Sequence, residues 1–249
     1  MTSFEIRQKA RKSLTGKWGK GALATLIFLV LDYIISFVLN LVPIVGSLAA
    51  SIIAVPLSFG FTIAMMSKLK RNEDFSYLDF FTAGFEKFVK VWQTTLWIFV
   101  KMLAPIAIIL VGAIIGVVGK TTSSYNAVLS LLGSIIYIVG IIWSIPKYFS
   151  YKLSLYLIND NPDMLAKEAV EKSAELMKGH RWAYFWLQCT FIGWALLACL
   201  TIGIGMFWLI PYMHVANVTF YDSLVGNVDT KPEKEETIEE ESTEANTVQ

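Results

Sequence analysis

Residues 183–221, AYFWLQCTFIGWALLACLTIGIGMFWLIPYMHVANVTFY, are the stretch on which the fold class depends, and they contain no Asp, Glu, Lys or Arg. A helix that crosses the hydrocarbon core of a bilayer needs about 20 residues, so this block is too long for one ordinary span and just long enough for two. Near its middle, Gly203 and Gly205 can adopt a positive φ, which suits a tight turn. The block therefore predicts a helical hairpin in a membrane.

Four further apolar runs precede this block and are each long enough to span a bilayer. They cover residues 21–42, 47–67, 92–119 and 127–146. The chain is 55% hydrophobic and 16% charged, whereas an ordinary soluble domain is about 45–50% apolar and about 25% charged. The sequence thus predicts an all-α, polytopic membrane protein with six transmembrane helices arranged as three hairpins.

The positive charges test this arrangement independently. Three segments are rich in Lys and Arg: residues 1–20 with six, 68–90 with five and 147–181 with six. The connections that alternate with them carry at most one: residues 40–46, 120–126 and the turn at Gly203. Cations concentrate on the cytoplasmic side of membrane proteins, so both termini are predicted to be cytoplasmic. A single crossing by the last block would place the C-terminus outside, and the charge rule does not exclude it.

The chain divides by charge into a basic body and an acidic tail. Residues 1–225 carry 19 basic and 12 acidic side chains and form the predicted six-span membrane domain. Residues 226–249 carry eight acidic and two basic side chains and no aromatic residue. Such a composition cannot bury an apolar core, so this segment is predicted to be a disordered acidic cytoplasmic tail.

A pattern of helix, glycine and aromatic residue occurs three times, which suggests an internal repeat. Gly16 precedes Trp18, Gly84 precedes Phe85, and Gly179 precedes Trp182. In each copy an amphipathic cytoplasmic helix is expected before the glycine and a two-span hairpin after it. The third of these helices is expected to start at Asn161 as the N-cap, with Pro162 at the first helical position.

The residues around two of these glycines are predicted to be interfacial anchors. Tryptophan gathers at the membrane–water interface, and each cation there gains about 1 kcal/mol from an anionic leaflet. The predicted anchors are Lys17, Trp18, Lys178, His180, Arg181 and Trp182. Their expected partners are membrane lipids, including anionic headgroups, with a homo-oligomer or another membrane protein as further candidates and no nucleic acid.

Asp32 and Lys101 form a candidate intramembrane polar pair. Asp32 lies close to the middle of the first run, where a charged carboxylate costs at least a few kcal/mol unless it is neutral, paired or hydrated. Lys101 is the natural cation to consider, although its long side chain could instead reach the cytoplasmic surface. A protonated, structural carboxyl group at Asp32 is the competing interpretation.

Motifs of catalysis, cofactor binding and metal binding are missing from the sequence. Residues 16–21, GKWGKG, lack the spacing and the closing Ser or Thr of a phosphate-binding loop. Neither GxSxG nor HExxH occurs, and the two Cys and two His residues lack the spacing of metal ligands. The sequence therefore predicts no enzyme, cofactor or metal site, with a membrane-bound enzyme as a weak third alternative.

Several stretches resemble the bacterial integral membrane proteins grouped as domain-of-unknown-function family 975. They are RKSLTGKWGKGAL at 11–23, IPKYFSY at 145–151, and the block from Asn159 through ELMKGHRW at 175–182 to FYDSL at 220–224. The resemblance implies a bacterial plasma membrane protein and brings no activity with it. The predicted role is to organise, sense or support the membrane or a membrane complex; the alternative is a small transporter or channel for a lipid-like or ionic solute.

Overall fold

Helices form all the regular secondary structure in the part of the chain that the structure describes, which confirms the all-α class. The computed structural model describes residues 2–42, 44–71, 79–121 and 126–229. Most of the predicted outer loop at 120–126 and of the tail at 226–249 lies outside the described residues. The helices are α1 (Ser3–Leu14), α2 (Trp18–Asn40), α3 (Val45–Ala64) with a π-helical segment (Met65–Lys70), α4 (Asp79–Glu86), α5 (Phe88–Thr121), α6 (Ala127–Ser150), α7 (Ser154–Asp160), α8 (Ala166–Leu176), α9 (Arg181–Leu200) and α10 (Met206–Asp229).

Five helical stretches are long and apolar enough to cross a membrane, judged by length and composition among the described residues. They are α2, α3, α5, α9 and the stretch Ala127–Asp160, which contains α6 and α7. The predicted sixth span, α10, is not among them, so six spans are not confirmed. Polar residues lower the hydropathy of α10, and part of the helix faces protein, since residues 215–221 are buried without a break. Side chains that face protein rather than lipid need not be apolar, provided that their polar atoms find partners.

The chain divides into two compact units. The first contains the described parts of Met1–Ile34, Thr62–Asp79 and Trp186–Gln249, and the second those of Ile35–Phe61 and Phe80–Phe185.

In the first unit, α1 packs against α10 and the π-helical segment. Ile6, Ala10 and Leu14 are fully buried, and their spacing of four residues puts them on one face of α1. A capping box starts the helix, since Glu5 N donates to Thr2 Oγ1 and Thr2 N donates to Glu5 Oε2. The apolar face thus fixes α1 onto α10 and leaves its cations on the other sides.

In the same unit, α9 and α10 run antiparallel. Their contacts step in opposite directions along the two helices: Gln188 Nε2 donates to Asn217 Oδ1 at 2.8 Å, and the ring centroids of Phe191 and Tyr212 lie 5.2 Å apart. The connecting turn has Gly203 at φ +82, the left-handed conformation that the sequence predicted, whereas Gly205 is not left-handed. A Cβ at Gly205 would lie 2.8 Å from Ala198 Cα, so this glycine allows the close approach of the two helices.

The second unit is built on the antiparallel pair α5 and α6. Gly112 lies against the backbone of Tyr137, Gly116 against Gly133, and Gly119 against Ser130. At each place an added Cβ would meet backbone atoms of the facing helix or come within ordinary contact of them. Small residues let membrane helices approach closely and gain dispersion energy along their whole length, so the glycines account for this pairing.

Helix α8 packs on α5, α6 and α7 in the second unit. Its buried face includes Ala169, Val170 and Ser173, while Lys167, Glu171 and Lys172 are exposed. Ser173 Oγ donates to Ser150 O at 2.7 Å and accepts from Leu153 N at 3.2 Å. One hydroxyl thus satisfies a carbonyl and an N–H group at the C-terminal end of α6, where the last carbonyl groups of a helix have no partner within the helix.

The predicted start of this helix at Asn161 is wrong. Asn161 instead ends α7, because its N–H donates to Leu157 O at 2.9 Å. The chain then turns, and α8 begins at Ala166, where Glu168 Oε2 accepts from Leu165 N at 3.2 Å. Asn and Pro serve a turn as readily as a helix start, and the sequence did not distinguish the two.

The prediction that Gly84 stops a helix is also wrong. Gly84 lies inside α4 and has no positive φ. A Cβ at this position would collide with Pro56 O, so the glycine permits α4 to touch α3 within the second unit. Gly16 and Gly179, the corresponding residues of the other two copies, do have left-handed φ values of 77 and 83.

Candidate functional site

The first predicted anchor cluster lies where α1 turns into α2. Gly16 reverses the chain, and Lys17 Nζ then donates to Leu69 O at 3.3 Å in the π-helical segment. The ring centroid of Trp18 lies 5.9 Å from that of Tyr212 in α10. Lys17 and Trp18 therefore make contacts within the protein, and their role as lipid anchors stays a prediction.

The second cluster lies where α8 turns into α9. Lys178 and His180 are exposed, and Trp182 is 66% exposed while its ring stacks on Phe185 at 4.9 Å. Arg181 is half-buried, and its Nε atom has no hydrogen-bond partner among the described residues. The cluster thus presents polar and aromatic groups to the surroundings of the protein, and its role as an interfacial anchor stays a prediction.

The buried side of the same turn is aromatic. Tyr184 is 2% exposed, and its ring meets that of Phe149 edge-to-face at 5.4 Å. Such pairs contribute about 0.5–1.5 kcal/mol beyond burial of their area. The stretch 178–186 is therefore divided between an outward face of anchors and an inward face of packing.

The two members of the candidate polar pair belong to different units, and their pairing stays a prediction. Lys101 has a partner within its own unit: its Nζ lies 3.4 Å from Glu171 Oε1 on the exposed face of α8. Both side chains are well exposed, so this ion pair adds little stability. Asp32 is half-buried, and no hydrogen bond to its carboxylate is found among the described residues.

Sequence reasoning missed a cavity of about 530 Å³ in the first unit. Three tryptophans, one tyrosine and a single cation shape it. Its lining residues are Arg11, Trp18, Trp194, Leu197, Ala198, Thr201, Gly205, Trp208, Leu209 and Tyr212. The volume lies within the range of about 300–1,000 Å³ typical of pockets for small molecules.

A smaller cavity of about 200 Å³ adjoins it and is lined by Phe4, Arg7, Gln8, Arg11 and Tyr212. Arg11 and Tyr212 belong to both linings. The Nε atom of Arg7 is buried and has no hydrogen-bond partner in the part of the chain that the structure describes. Tyr212 Oη donates to Arg7 O at 3.4 Å, which ties α10 to this turn of α1.

These linings offer hydrogen-bond donors and aromatic surface to a ligand. They combine two guanidinium groups, an amide, hydroxyls and indole rings, with no carboxylate, His or Cys among them. No group of three or more His, Cys, Asp or Glu side chains placed to hold a metal ion occurs among the described residues. A guanidinium recognises phosphate or carboxylate through paired hydrogen bonds, so the smaller cavity suits an anion.

The family comparison covers both cavities. The family described as "Protein of unknown function (DUF975)" matches residues 1–228. The chain belongs to this family. No curated protein and no solved structure matches the chain. The match takes in every residue of the two linings and ends at residue 228, three residues into the acidic tail.

One signal in the sequence could have pointed to the cavities. Arg7 and Arg11 are four residues apart and therefore share a face of α1 beside the buried stripe. The positive-inside pattern depends only on the total of six cations in residues 1–20, and it does not show that Arg7 and Arg11 lie on one face. The tryptophans of α9 and α10 gave no such signal, because indole rings are common in any membrane helix.

Proposed function

We propose that this chain is a non-enzymatic protein of a bacterial plasma membrane that organises, senses or supports the membrane or a membrane complex. The observation that carries the proposal is the α5–α6 interface, where Gly112, Gly116 and Gly133 bring two backbones together. A transport path needs polar groups that converge on a hydrated cavity. A dry interface of glycines instead makes a rigid pair of helices that can serve as a scaffold.

The proposed topology has four crossings, made by α2, α3, α5 and α6, with both termini in the cytoplasm. The charge pattern supports this orientation, because the cation-rich segments 1–20 and 147–181 then lie on one side. Six crossings were expected, with α9 and α10 as the last two. The geometry of the first unit favours a re-entrant hairpin for these two helices instead.

The decisive contact joins Gly21, near the start of α2, to Pro211 in α10. Since α2 has 23 residues, it is about 34 Å long and needs nearly its whole length to cross the ~30 Å core. Gly21 therefore lies close to the membrane surface at which α2 begins. From Pro211 back to Thr201, ten residues of helix and turn extend at most about 15 Å. The hairpin tip then ends about half way across the core. Helix α9 has 20 residues and is about 30 Å long, so in this arrangement its start lies outside the core on the cytoplasmic side, and the predicted anchors Arg181 and Trp182 do not lie at the membrane surface.

The tip itself is suited to a lipid environment. Leu200, Ile202 and Ile204 are 80%, 94% and 58% exposed, which leaves three large apolar side chains uncovered by protein. Every backbone N–H from Ile202 to Trp208 donates within the turn, to carbonyl oxygens or, for Gly205, to Thr201 Oγ1. Backbone groups in the hydrocarbon region must be satisfied internally, and the N–H groups of this turn meet that condition.

A small transporter or channel is the alternative function, and Asp32 is the residue that favours it. A half-buried carboxylate within a candidate span is expected to mark a polar pathway when it is not structural. The organising role predicts no movement of solutes across a membrane, whereas a transporter or channel predicts such movement.

Reconstitution of the full chain into vesicles of phosphatidylglycerol and phosphatidylcholine separates these functions. We expect a change of lipid order, measured with a membrane-inserted polarity dye, without ion or lipid transfer above that of protein-free vesicles. The Asp32→Asn variant should behave as the parent does, and Ser36→Ala provides a matched polar substitution on the same helix. Transfer that Asp32→Asn abolishes and Ser36→Ala preserves would contradict the organising role and favour the transporter.

A further inference from the structure

We infer that the two adjoining cavities of the first unit form one binding site for an acidic phospholipid. The phosphate group binds Arg7 and Arg11 in the smaller cavity, and an acyl chain enters the larger one among Trp18, Trp194 and Trp208. This inference deepens the proposed function by naming its ligand, and it rests on that proposal for the placement of the α9–α10 hairpin in the membrane.

The polar part of the site carries an excess of positive charge. Helix α1 contains Arg7, Lys9, Arg11 and Lys12 against one acidic residue, Glu5, whose carboxylate accepts from Thr2 N in the capping box. The buried Nε of Arg7 lacks a partner among the described residues, and Gln8 adds a side-chain amide to the same lining. Guanidinium groups form short, charge-assisted and often bidentate hydrogen bonds to phosphate.

The apolar part of the site has the size and the lining for a hydrocarbon chain. The larger cavity, of about 530 Å³, is an open groove: Trp194, Leu197 and Trp208 in its lining are 46%, 55% and 46% exposed, so a hydrocarbon chain can lie along it. Trp18, Trp208 and Tyr212 offer ring faces and edges, which contact methylene groups well. Arg11 and Tyr212 line both cavities, so they lie between the part that binds the phosphate and the part that holds the acyl chain.

The position of the site favours a lipid over a water-soluble anion. Trp18 begins α2 and lies at the membrane surface, while Thr201 and Gly205 belong to the hairpin tip in the same leaflet. One lining thus reaches from the surface into the hydrocarbon region. An amphiphile already present in that leaflet matches both ends, whereas a soluble phosphate compound would leave the apolar end empty.

The test measures lipids retained by the purified full chain in detergent that contains equal amounts of phosphatidylglycerol and phosphatidylcholine. Native mass spectrometry should find one tightly held phosphatidylglycerol. The double change Arg7→Gln with Arg11→Gln should lower its retention about tenfold or more, because charge-assisted hydrogen bonds to the phosphate are lost. The control, Lys12→Gln with Lys20→Gln, removes two exposed cations from the same 20-residue segment and should change retention less than about twofold.

A third variant, Leu197→Trp, fills the larger cavity and leaves all charges in place. It should reduce retention of phosphatidylglycerol while its thermal unfolding midpoint stays close to that of the parent. Equal retention of the two lipids by the parent, or equal losses in the arginine and lysine variants, overturns the site. The proposed organising role is judged separately, since lipid order and solute transfer in vesicles are measured without reference to retained lipid.

Discussion

At the scale of single residues, the glycines of this chain have two different structural roles. Gly16, Gly179 and Gly203 adopt left-handed conformations that other residues rarely tolerate. Gly84 and Gly133 are instead helical and matter because they lack a Cβ where another backbone lies close. The sequence shows the same letter in both cases, which is why Gly84 was expected to end a helix and does not.

Replacement of Gly133 by leucine should destabilise the protein. The new side chain would collide with the backbone of Gly116, so α5 and α6 would have to separate. Overpacking of this kind costs about 1–3 kcal/mol and sometimes more. Gly193→Leu is the control, since a Cβ there meets nothing within 4 Å. Thermal unfolding in detergent should show a lower midpoint for Gly133→Leu alone; equal midpoints would contradict the tight pairing.

At the scale of elements, α10 shows how burial against other helices accommodates polar residues in a largely apolar helix. Its buried stretch 215–221 contains Asn217 and Thr219, whose side chains are hydrogen-bonded to Gln188 and to Val215 O. These polar residues lower the hydropathy of α10, and their side-chain polar groups are satisfied within the protein. The block 183–221 therefore contains two helices, as expected, although only α9 has the composition of a span.

Cysteine labelling at the hairpin tip distinguishes a re-entrant hairpin from two full crossings. In a Cys189→Ala, Cys199→Ala background, Ile202→Cys should not react with a membrane-impermeant maleimide added outside, because the tip stays within the lipid. Ser123→Cys, in the connection predicted to be external, is the positive control. Labelling of both positions from outside would restore six crossings and contradict the hairpin placement.

At the scale of the whole molecule, charge is divided between body and tail. The body carries an excess of seven positive charges and residues 226–249 an excess of six negative charges. The family match ends at residue 228, so most of the tail lies outside the matched part of the chain. The tail's charge can still act on the body, because the cation-rich segments and the tail are predicted to lie on one side of the membrane.

Removal of residues 230–249 should leave the thermal unfolding midpoint unchanged and increase the retention of acidic phospholipid. The body keeps its helices, and its net positive charge is no longer offset by the tail. Thermal unfolding midpoints should agree between the full and the shortened chain, while lipid retention should rise at low salt and converge at high salt, where charges are screened. A lower midpoint for the shortened chain would show that the tail supports the fold.

The sequence by itself determined the all-α class, five apolar stretches able to span a membrane, and the left-handed turns at Gly16, Gly179 and Gly203. These features follow from local chemistry: apolar runs of sufficient length and residues that alone tolerate a positive φ. Local pattern also misled at Asn161, where the residue serves a turn at the end of α7, and at Gly84, where the neighbouring α3 explains the glycine.

Only the tertiary structure decided which residues meet. The cavities join Arg7 and Arg11 of α1 to Trp208 and Tyr212 of α10, about 200 residues away in the chain. It also paired Lys101 with Glu171 and brought Pro211 against Gly21, the contact that limits how deep the hairpin can reach. Such contacts depend on how whole helices pack, since spacing along a sequence fixes the face of a helix but not the partner it meets.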